Sequence, residues 1–336
     1  MKKILEEAFN PGAFREQGHK LVDLLADYLG DVYEKTEMPV IKWKEPDEQL
    51  AFWKNYPLQN NDLNRLFSDI LEHANHLHHP HYIGHQCSAP APLTALAGLF
   101  NGVVNNGMAI YDMGPASTAI EKIVIDTFNK AVGFDEKSSG FLTSGATLAN
   151  LTALLAARGT NAGYDAWENG NSTNLAVMVS SDAHYCIERA VKIMGLGTEG
   201  IIKIPVTKDH KINTNMLEQA LENAKNKGRK VFAIIGNACS TSAGTYDDLE
   251  KLAAFSKKHN LWFHVDGAHG AAAIFSEKYK YLLKGIEKAD SVVIDGHKML
   301  LTTGLNTMLL FKEEKKSHAA FNQKAQYLWE NAGEKE

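Results

Sequence analysis

Apolar residues recur at helical spacing early in the chain and in strand-length runs later on. From Leu21, the residues Leu21, Leu24, Leu25, Tyr28 and Leu29 fall on one face, with Phe14 one face-repeat earlier, which predicts a helix over 14–34. Residues 35–50 carry Pro39, Pro46 and mixed charges and read as an extended connector, with a second helix expected over 58–75. An apolar stretch rich in small residues fills 91–131, and a helix is expected from just after Ser117, its candidate cap, to about Val132. Another is expected over 147–158. Beyond it the pattern alternates. Strands are expected at 175–180, 200–204, 231–236, 261–265, 291–294 and 307–311, with helices at 186–194, 214–226 and 246–259 between the earlier ones. Strands separated by helical crossovers imply an α/β fold with a mostly parallel central sheet covered on both faces.

Composition narrows the class. The 336 residues are enough for a large core, and 44% hydrophobic with 22% charged residues suits a soluble globular protein. A net charge of −5 gives no broad basic field for nucleic acid. Three widely spaced cysteines, Cys87, Cys186 and Cys239, form no CxxC pair and no disulfide framework. The start, Met1-Lys2-Lys3-Ile4-Leu5-Glu6-Glu7, is charged where a signal peptide is apolar, and no apolar run is long enough to span a bilayer. A cytoplasmic enzyme with no membrane partner is the expectation.

Ligands of parallel sheets sit beyond the carboxyl ends of the strands, and this chain places its unusual polar residues there. Lys298 follows the strand at 291–294 through Asp295-Gly296-His297. Lysine is one of the few side chains able to bond covalently to a carbonyl group. Asp266 ends the strand at 261–265, and Gly267-Ala268 after it leave room for a flat ring against the backbone. A carboxylate so close to an apolar strand needs a partner, either a cationic heterocycle or a structural hydrogen-bond donor. His184 follows the strand at 175–180, where an imidazole can stack on a planar ligand, shuttle a proton or cap a helix. Thr143-Ser144-Gly145-Ala146-Thr147 precedes a helix, so its free N–H groups can cradle a phosphate, the competing reading being an ordinary capped helix. Asn237 and Thr241-Ser242 lie past a further strand. His76, His78, His79, His81 and His85 fall within ten residues, but no Asp, Glu or Cys completes a familiar zinc spacing. A polar loop lining a substrate pocket is the better reading, with no metal. Lysine, aspartate, imidazole and phosphate cradle in one sheet form the combination that pyridoxal 5'-phosphate needs.

The chain also resembles a known family, the pyridoxal-phosphate-dependent group II amino acid decarboxylases, which include glutamate, aromatic amino acid and diaminobutyrate decarboxylases. The segments that carry the resemblance are His79-Pro80-His81-Tyr82, Asn106-Gly107-Met108-Ala109-Ile110-Tyr111, Thr143 to Asn150, His264-Val265-Asp266-Gly267-Ala268 and Asp295-Gly296-His297-Lys298. It covers about residue 10 to about 325 and implies the aspartate-aminotransferase-like fold type I. It implies that Lys298 carries the cofactor, that His297 reaches its phosphate and that Asp266 pairs with the pyridine nitrogen. His184 would stack on one ring face and Ala268 pack on the other. Gly145, Ala146 and Thr147 would hold the phosphate, with Thr241 and Asp247 on the ring side and its supporting loop. His85, Gln86 and Tyr111 are the implied substrate contacts. Family members are typically homodimers with shared active sites, which gives the amphipathic 14–34 helix a role in dimerisation.

The expected organisation is a helical dimerisation segment at 1–75, a large cofactor-binding domain at 76–315 and the start of a truncated C-terminal region at 316–336. Family members continue for a hundred or more residues past this point, so a fragment, a truncated gene product or a separately supplied remainder is expected. Met299 and Gly267 replace the family's usual aromatic and alanine. The expected reaction is decarboxylation of an L-amino acid, with glutamate, aspartate or 2,4-diaminobutyrate favoured over an aromatic substrate. The alternatives are another lyase or an aminotransferase on the same fold, and a cofactor-binding remnant without turnover. An aminotransferase would want an arginine for the substrate carboxylate, and the candidates Arg158 and Arg189 lie inside expected helices.

Overall fold

A computed structural model describes residues 5–6, 8–35, 37–57, 62–84, 86–171 and 174–318. The chain forms two compact units, residues 1–89 and residues 90–336. The first is helical. Helix α1 (Pro11–Glu34) starts where Asn10 accepts the N–H groups of Gly12 and Ala13. Helix α2 (Pro46–Lys54) stands where an extended connector was expected. Proline is a poor helix interior residue but a good first one, because its missing N–H has no partner to lose there. Helix α3 (Leu63–Glu72) is capped by Asp62, which accepts the Arg65 N–H. Residues 58–61, the expected start of that helix, lie outside the described residues. Tyr28 and Tyr33 of α1 reach the histidine-rich loop, at His76 Nδ1 (3.0 Å) and His78 Nδ1 (3.3 Å). Those two imidazoles thus serve the packing of this unit.

The second unit is a three-layer α/β domain. In chain order it holds α4 (Thr94–Val104), α5 (Pro115–Val132), β1 (Ser139–Thr143), α6 (Ala146–Asn161), β2 (Leu175–Ser180), α7 (Tyr185–Ile193) and β3 (Ile201–Ile204). Then follow α8 (Leu217–Asn226), β4 (Lys230–Asn237), α9 (Leu249–His259), β5 (Trp262–Asp266), β6 (Ser291–Asp295), β7 (Thr307–Phe311) and α10 (Glu314–His318). The seven strands are ordered β1-β7-β6-β5-β4-β2-β3. All neighbours from β6 to β3 pair in parallel, and only β7 runs the other way. The expected mostly parallel sheet is therefore present, with one unexpected strand, β1, at its edge. Helix α5 begins at Pro115 rather than after Ser117, again with proline in the first turn. Helix α9 begins at Leu249 because Asp248 caps it, accepting the Lys251 N–H at 3.0 Å.

Strand alternation builds one apolar layer on each face of the sheet. In Trp262-Phe263-His264-Val265-Asp266, period two puts Trp262, His264 and Asp266 on one face and Phe263 and Val265 on the other. Phe263 and Val265 pack with Leu249, Leu252 and Phe255 of α9. Trp262 packs with Ala149 and Ala153 of α6. Burying Ala149, Ala153 and Ala157 along one side lets α6 approach the sheet closely. Among the described residues no helix is long and apolar enough to cross a membrane.

Gly267 is required by packing. A Cβ there would overlap the Ala271 methyl and come within 2.9 Å of the Val293 carbonyl oxygen. Gly267→Ala is expected to destabilise the domain by about 1–3 kcal/mol, the usual cost of overfilling a packed interior. Urea unfolding of the variant against wild type measures this. An unchanged midpoint would count against the packing.

Candidate active site

Register fixes the centre of the site. Asp295 ends β6 directly opposite Thr307 of the antiparallel β7. The Thr307 hydroxyl donates to Asp295 Oδ1, and Lys298 Nζ lies 2.9 Å from Asp295 Oδ2. Asp295 is 1% exposed, so this ion pair is anchored in the sheet rather than in solvent. His297 is held by the Asn306 backbone, its Nδ1 lying 3.0 Å from the carbonyl oxygen and 3.3 Å from the amide nitrogen, and its Nε2 is 3.7 Å from Asp295 Oδ2. A Cβ at Gly296 would meet Asn306 Oδ1 and Thr302 Oγ1, so a larger residue there would have to displace these side chains.

One strand over, Asp266 ends β5. It is buried, and burial pushes its carboxyl up from the ordinary carboxylate value. The Ala268 N–H and the nearby Lys298 and His184 charges act against that push. The Ala268 N–H donates to Oδ1 at 3.2 Å, and Asn150 Nδ2 donates to Oδ2 at 3.1 Å. Asn150 in turn reaches His264 at 2.7 Å. His184 is the N-cap of α7, and its Nδ1 accepts the Cys186 N–H at 3.2 Å. Capping fixes the imidazole plane and leaves its proton on Nε2. Burial lowers its pKa from 6.5, as expected for a group that loses water around its charged form. Burial also pushes the Cys186 thiol up to about 12, so this cysteine is an inert part of the packing.

Helix α6 brings a third group. Gly145, with φ of +122°, is its N-cap, and no side chain caps the helix start. The left-handed φ favours glycine. Its absent Cβ leaves open space, with nothing within 4 Å. Asn150 lies about one turn further along the same helix, so the helix start and Asp266 are close neighbours. Ser144 and Thr147 are exposed there. At the end of β4, Asp247 Oδ2 accepts the Asn237 N–H (2.8 Å) and Oδ1 accepts the Ile212 N–H (2.7 Å). Asp247 therefore braces the loop that carries Thr241, which is exposed.

Lys298, Asp266, His184, Ala268 and His297 thus come together at the carboxyl edge of β2, β4, β5 and β6, with Gly145, Ala146 and Thr147 at the adjoining helix start. Tyr111 is exposed on the single turn Tyr111–Met113 and is not tied to this cluster by a hydrogen bond. Gln86 falls in the unit of residues 1–89, and His85 lies outside the described residues. Three contributors carry no role in the sequence reading. Asp295 and Asn150 were part of quoted motifs, and their polarity beside an apolar strand or among alanines was the available signal. The third, His269, keeps a buried Nδ1 that lacks a partner among the described residues, and Lys298 and Asp295 both act on it electrostatically.

Strand ends and an adjoining helix start of this kind are where α/β proteins bind their ligands. Residues 46–335 match the model of the pyridoxal-dependent decarboxylase conserved domain, and the chain belongs to that family. It is 29% identical over 294 residues to an aromatic-L-amino-acid decarboxylase of Bacillus atrophaeus, covering 85% of this chain and 59% of that protein. It is 30% identical over 326 residues to an aspartate 1-decarboxylase of Aliivibrio fischeri, covering 89% and 58%. The chain thus spans under three fifths of these relatives. In fold it matches the glutamate decarboxylase domain of a diaminobutyrate-pyruvate transaminase and L-2,4-diaminobutyrate decarboxylase from Vibrio parahaemolyticus. The TM-score is 0.83 at 24% identity, over 96% of this chain and 73% of that one. The residues present fit the family's pyridoxal cofactor. An amine stands at a strand end, a buried carboxylate faces the same edge, an uncapped helix start lies beside it, and His269 holds an unmet hydrogen-bonding atom.

Protonation of His264 is the test of how tightly this region is packed. Fully buried, its pKa falls from 6.5 to about 3. Between these values the unfolded chain binds a proton that the folded chain refuses. Stability is therefore fully present above 6.5 and is lost as pH falls through the window, by at most about 1.4 kcal/mol per pH unit from this group. Burial shifts His76, His78, His184 and His269 in the same direction. The urea midpoint is expected to drop between pH 7.5 and 5.5, and a flat or rising midpoint would count against the burial of these histidines as a group.

Proposed function

We propose that this chain is the cofactor-binding part of an amino acid decarboxylase, a carboxy-lyase that releases carbon dioxide and the corresponding amine. The carrying observation is Lys298 Nζ, 2.9 Å from a buried Asp295 at the end of β6, one strand from the buried Asp266. Lys298 would hold the cofactor through its carbonyl group, whose oxygen would leave as water, and Asp295 Oδ2, 2.9 Å from Nζ, would accept the proton that the amine gives up. Asp266, held by Asn150 and Ala268, is the acceptor that keeps a ring nitrogen protonated. The open start of α6 offers its backbone N–H groups to the phosphate, with Gly145 allowing close approach. His184 presents a ring of fixed plane, and Ala268 leaves a flat surface just past the end of β5. When bound, pyridoxal 5'-phosphate supplies the electron sink that takes up the pair left by departing carbon dioxide.

The favoured substrate is a short acidic or diamino acid. The similarity to an aspartate 1-decarboxylase supports it. The similarity to an aromatic-L-amino-acid decarboxylase favours the second reading. Carbon dioxide release from aspartate, glutamate, 2,4-diaminobutyrate and the aromatic acids, with cofactor added, separates the two. Lys298→Ala is expected to lose the borohydride-reducible cofactor adduct and to cut turnover by more than about a thousandfold, the usual scale for a lost covalent step. An adduct surviving in that variant would sink the assignment. Keto-acid formation without carbon dioxide would point to an aminotransferase instead.

A homodimer is part of the same proposal. Helix α4 exposes Leu96, Leu99, Phe100 and Val103, and α1 exposes Phe14, Val22 and Leu25. Apolar faces of this extent mark interaction surfaces. Sedimentation at micromolar concentration is expected to give twice the mass of the chain, and a monomer at tens of micromolar would refute the dimer. Free Cys87, Cys186 and Cys239 are compatible with a cytoplasmic setting.

A further inference from the structure

Asp266 is the visible end of a longer buried chain of hydrogen bonds. Trp262, His264 and Asp266 share one face of β5, and Ser291 is the register partner of His264 on β6. Trp262 Nε1 donates to Ser291 Oγ at 2.8 Å. Ser291 Oγ lies 2.8 Å from His264 Nδ1, and His264 Nε2 lies 2.7 Å from Asn150 Oδ1. Asn150 Nδ2 then meets Asp266 Oδ2 at 3.1 Å and Cys186 Sγ at 3.4 Å. Asn150, His264 and Ser291 are each 0% exposed, so water cannot substitute for any link.

With Asp266 ionised, the chain can be satisfied in only one direction. An ionised carboxylate only accepts, so the Asn150 edge facing Asp266 is its NH2 group. The opposite edge, facing His264, is then the amide oxygen, which requires a proton on Nε2. A neutral imidazole protonated at Nε2 needs a donor at Nδ1, and the Ser291 hydroxyl is there. The indole N–H is a donor only, so it must point at the serine oxygen, which leaves the serine proton for His264. Burial keeps His264 neutral, as this scheme demands. Reversing the chain would aim the Asn150 oxygen at Asp266 and require a protonated carboxyl.

We propose that Ser291, His264 and Asn150 are positioning residues that lock the Asn150 amide as a donor to Asp266, and so hold this carboxylate ionised and aimed at the cofactor's ring nitrogen. The proposal rests on the reading of Asp266 as the partner of that nitrogen. Removing the Ser291 hydroxyl lets His264 move its proton to Nδ1. Its Nε2 lone pair then faces an oxygen, and the amide turns over to bring its NH2 group to His264, which takes a donor from Asp266.

The test compares pyridoxal 5'-phosphate with its 1-deaza analogue, in which the ring nitrogen is replaced by C–H. Dissociation constants of both are read by optical titration of the full chain. Wild type is expected to prefer the nitrogen-bearing cofactor by about tenfold or more, the scale of a hydrogen bond to a charged group. Asp266→Ala should bind both equally. Ser291→Ala should lose most of the preference, and Asn150→Leu, which keeps the shape of the side chain, gives the same reading should Ser291→Ala not fold. Trp262→Phe loosens the packing but leaves the serine proton in place, so it should melt earlier and keep the preference. A wild-type preference retained in Ser291→Ala, or in Asn150→Leu, overturns the relay alone. No preference in wild type overturns the reading of Asp266 and the relay with it.

Discussion

A carboxylate without water is the constraint that the rest of this site answers. Removing Asp266 from solvent is costly unless the folded chain replaces the lost hydration with fixed donors and opposite charge. The fold supplies these from three directions. The backbone beyond β5 turns so that Ala268 donates to Oδ1, α6 delivers Asn150 to Oδ2, and β6 carries Lys298 into range. Each supplier is itself buried or anchored, so none can relax away. A protein that needed only stability would fill this space with apolar side chains, which are often as stable or more so. Retaining the charge at the strand ends is the mark of a site rather than of a core.

The same logic explains the pairing of Lys298 with Asp295. A lysine on a flexible stem is a poor reagent if it wanders, because its rotamers are many. The antiparallel register of β6 and β7 sets Thr307 opposite Asp295, and Thr307 orients the carboxylate that holds Nζ. The order is backbone register, then hydroxyl, then carboxylate, then amine. Each step is more mobile than the one before it and is tethered by it. The antiparallel strand in an otherwise parallel sheet thus serves the site directly.

Most of the sheet was legible because buried parallel strands are near-continuous apolar runs, and 175–180, 231–236 and 291–294 are of that kind. Strand β1 escaped because Ser-Gly-Phe-Leu-Thr has no such run and lies at an edge. Gly140 within it marks close approach rather than a turn, since a Cβ would come 2.5 Å from the Leu309 carbonyl oxygen. Pro46 reads as part of an extended connector, but proline at a first helical position starts a helix, as Pro115 also does in α5. Lys298, Asp266, His184 and the helix start were visible because chemistry demands those residue types at strand ends. Asn150 and Asp295 were not, because their roles arise only from tertiary neighbours more than a hundred residues away in one case and across a register in the other. His184 shows both readings at once, since it caps α7 through Nδ1 and still stands beside Asp266.

The division between chemistry and specificity follows from where these supports come from. Every group proposed to meet the cofactor lies in residues 90–318, on strand ends or at a helix start, and is fixed by backbone register or capping. The proposed substrate contact in the same unit, Tyr111, is of another kind, on an exposed single turn. Cofactor chemistry acts at the α carbon, which every amino acid shares, so its supports can be rigid and common to many substrates. Recognition of a side chain adds or removes a few contacts at the periphery, where loops vary at little cost to the core. On the proposed reading, the rigid strand ends would serve the reaction common to all amino acids and the loops would serve substrate choice.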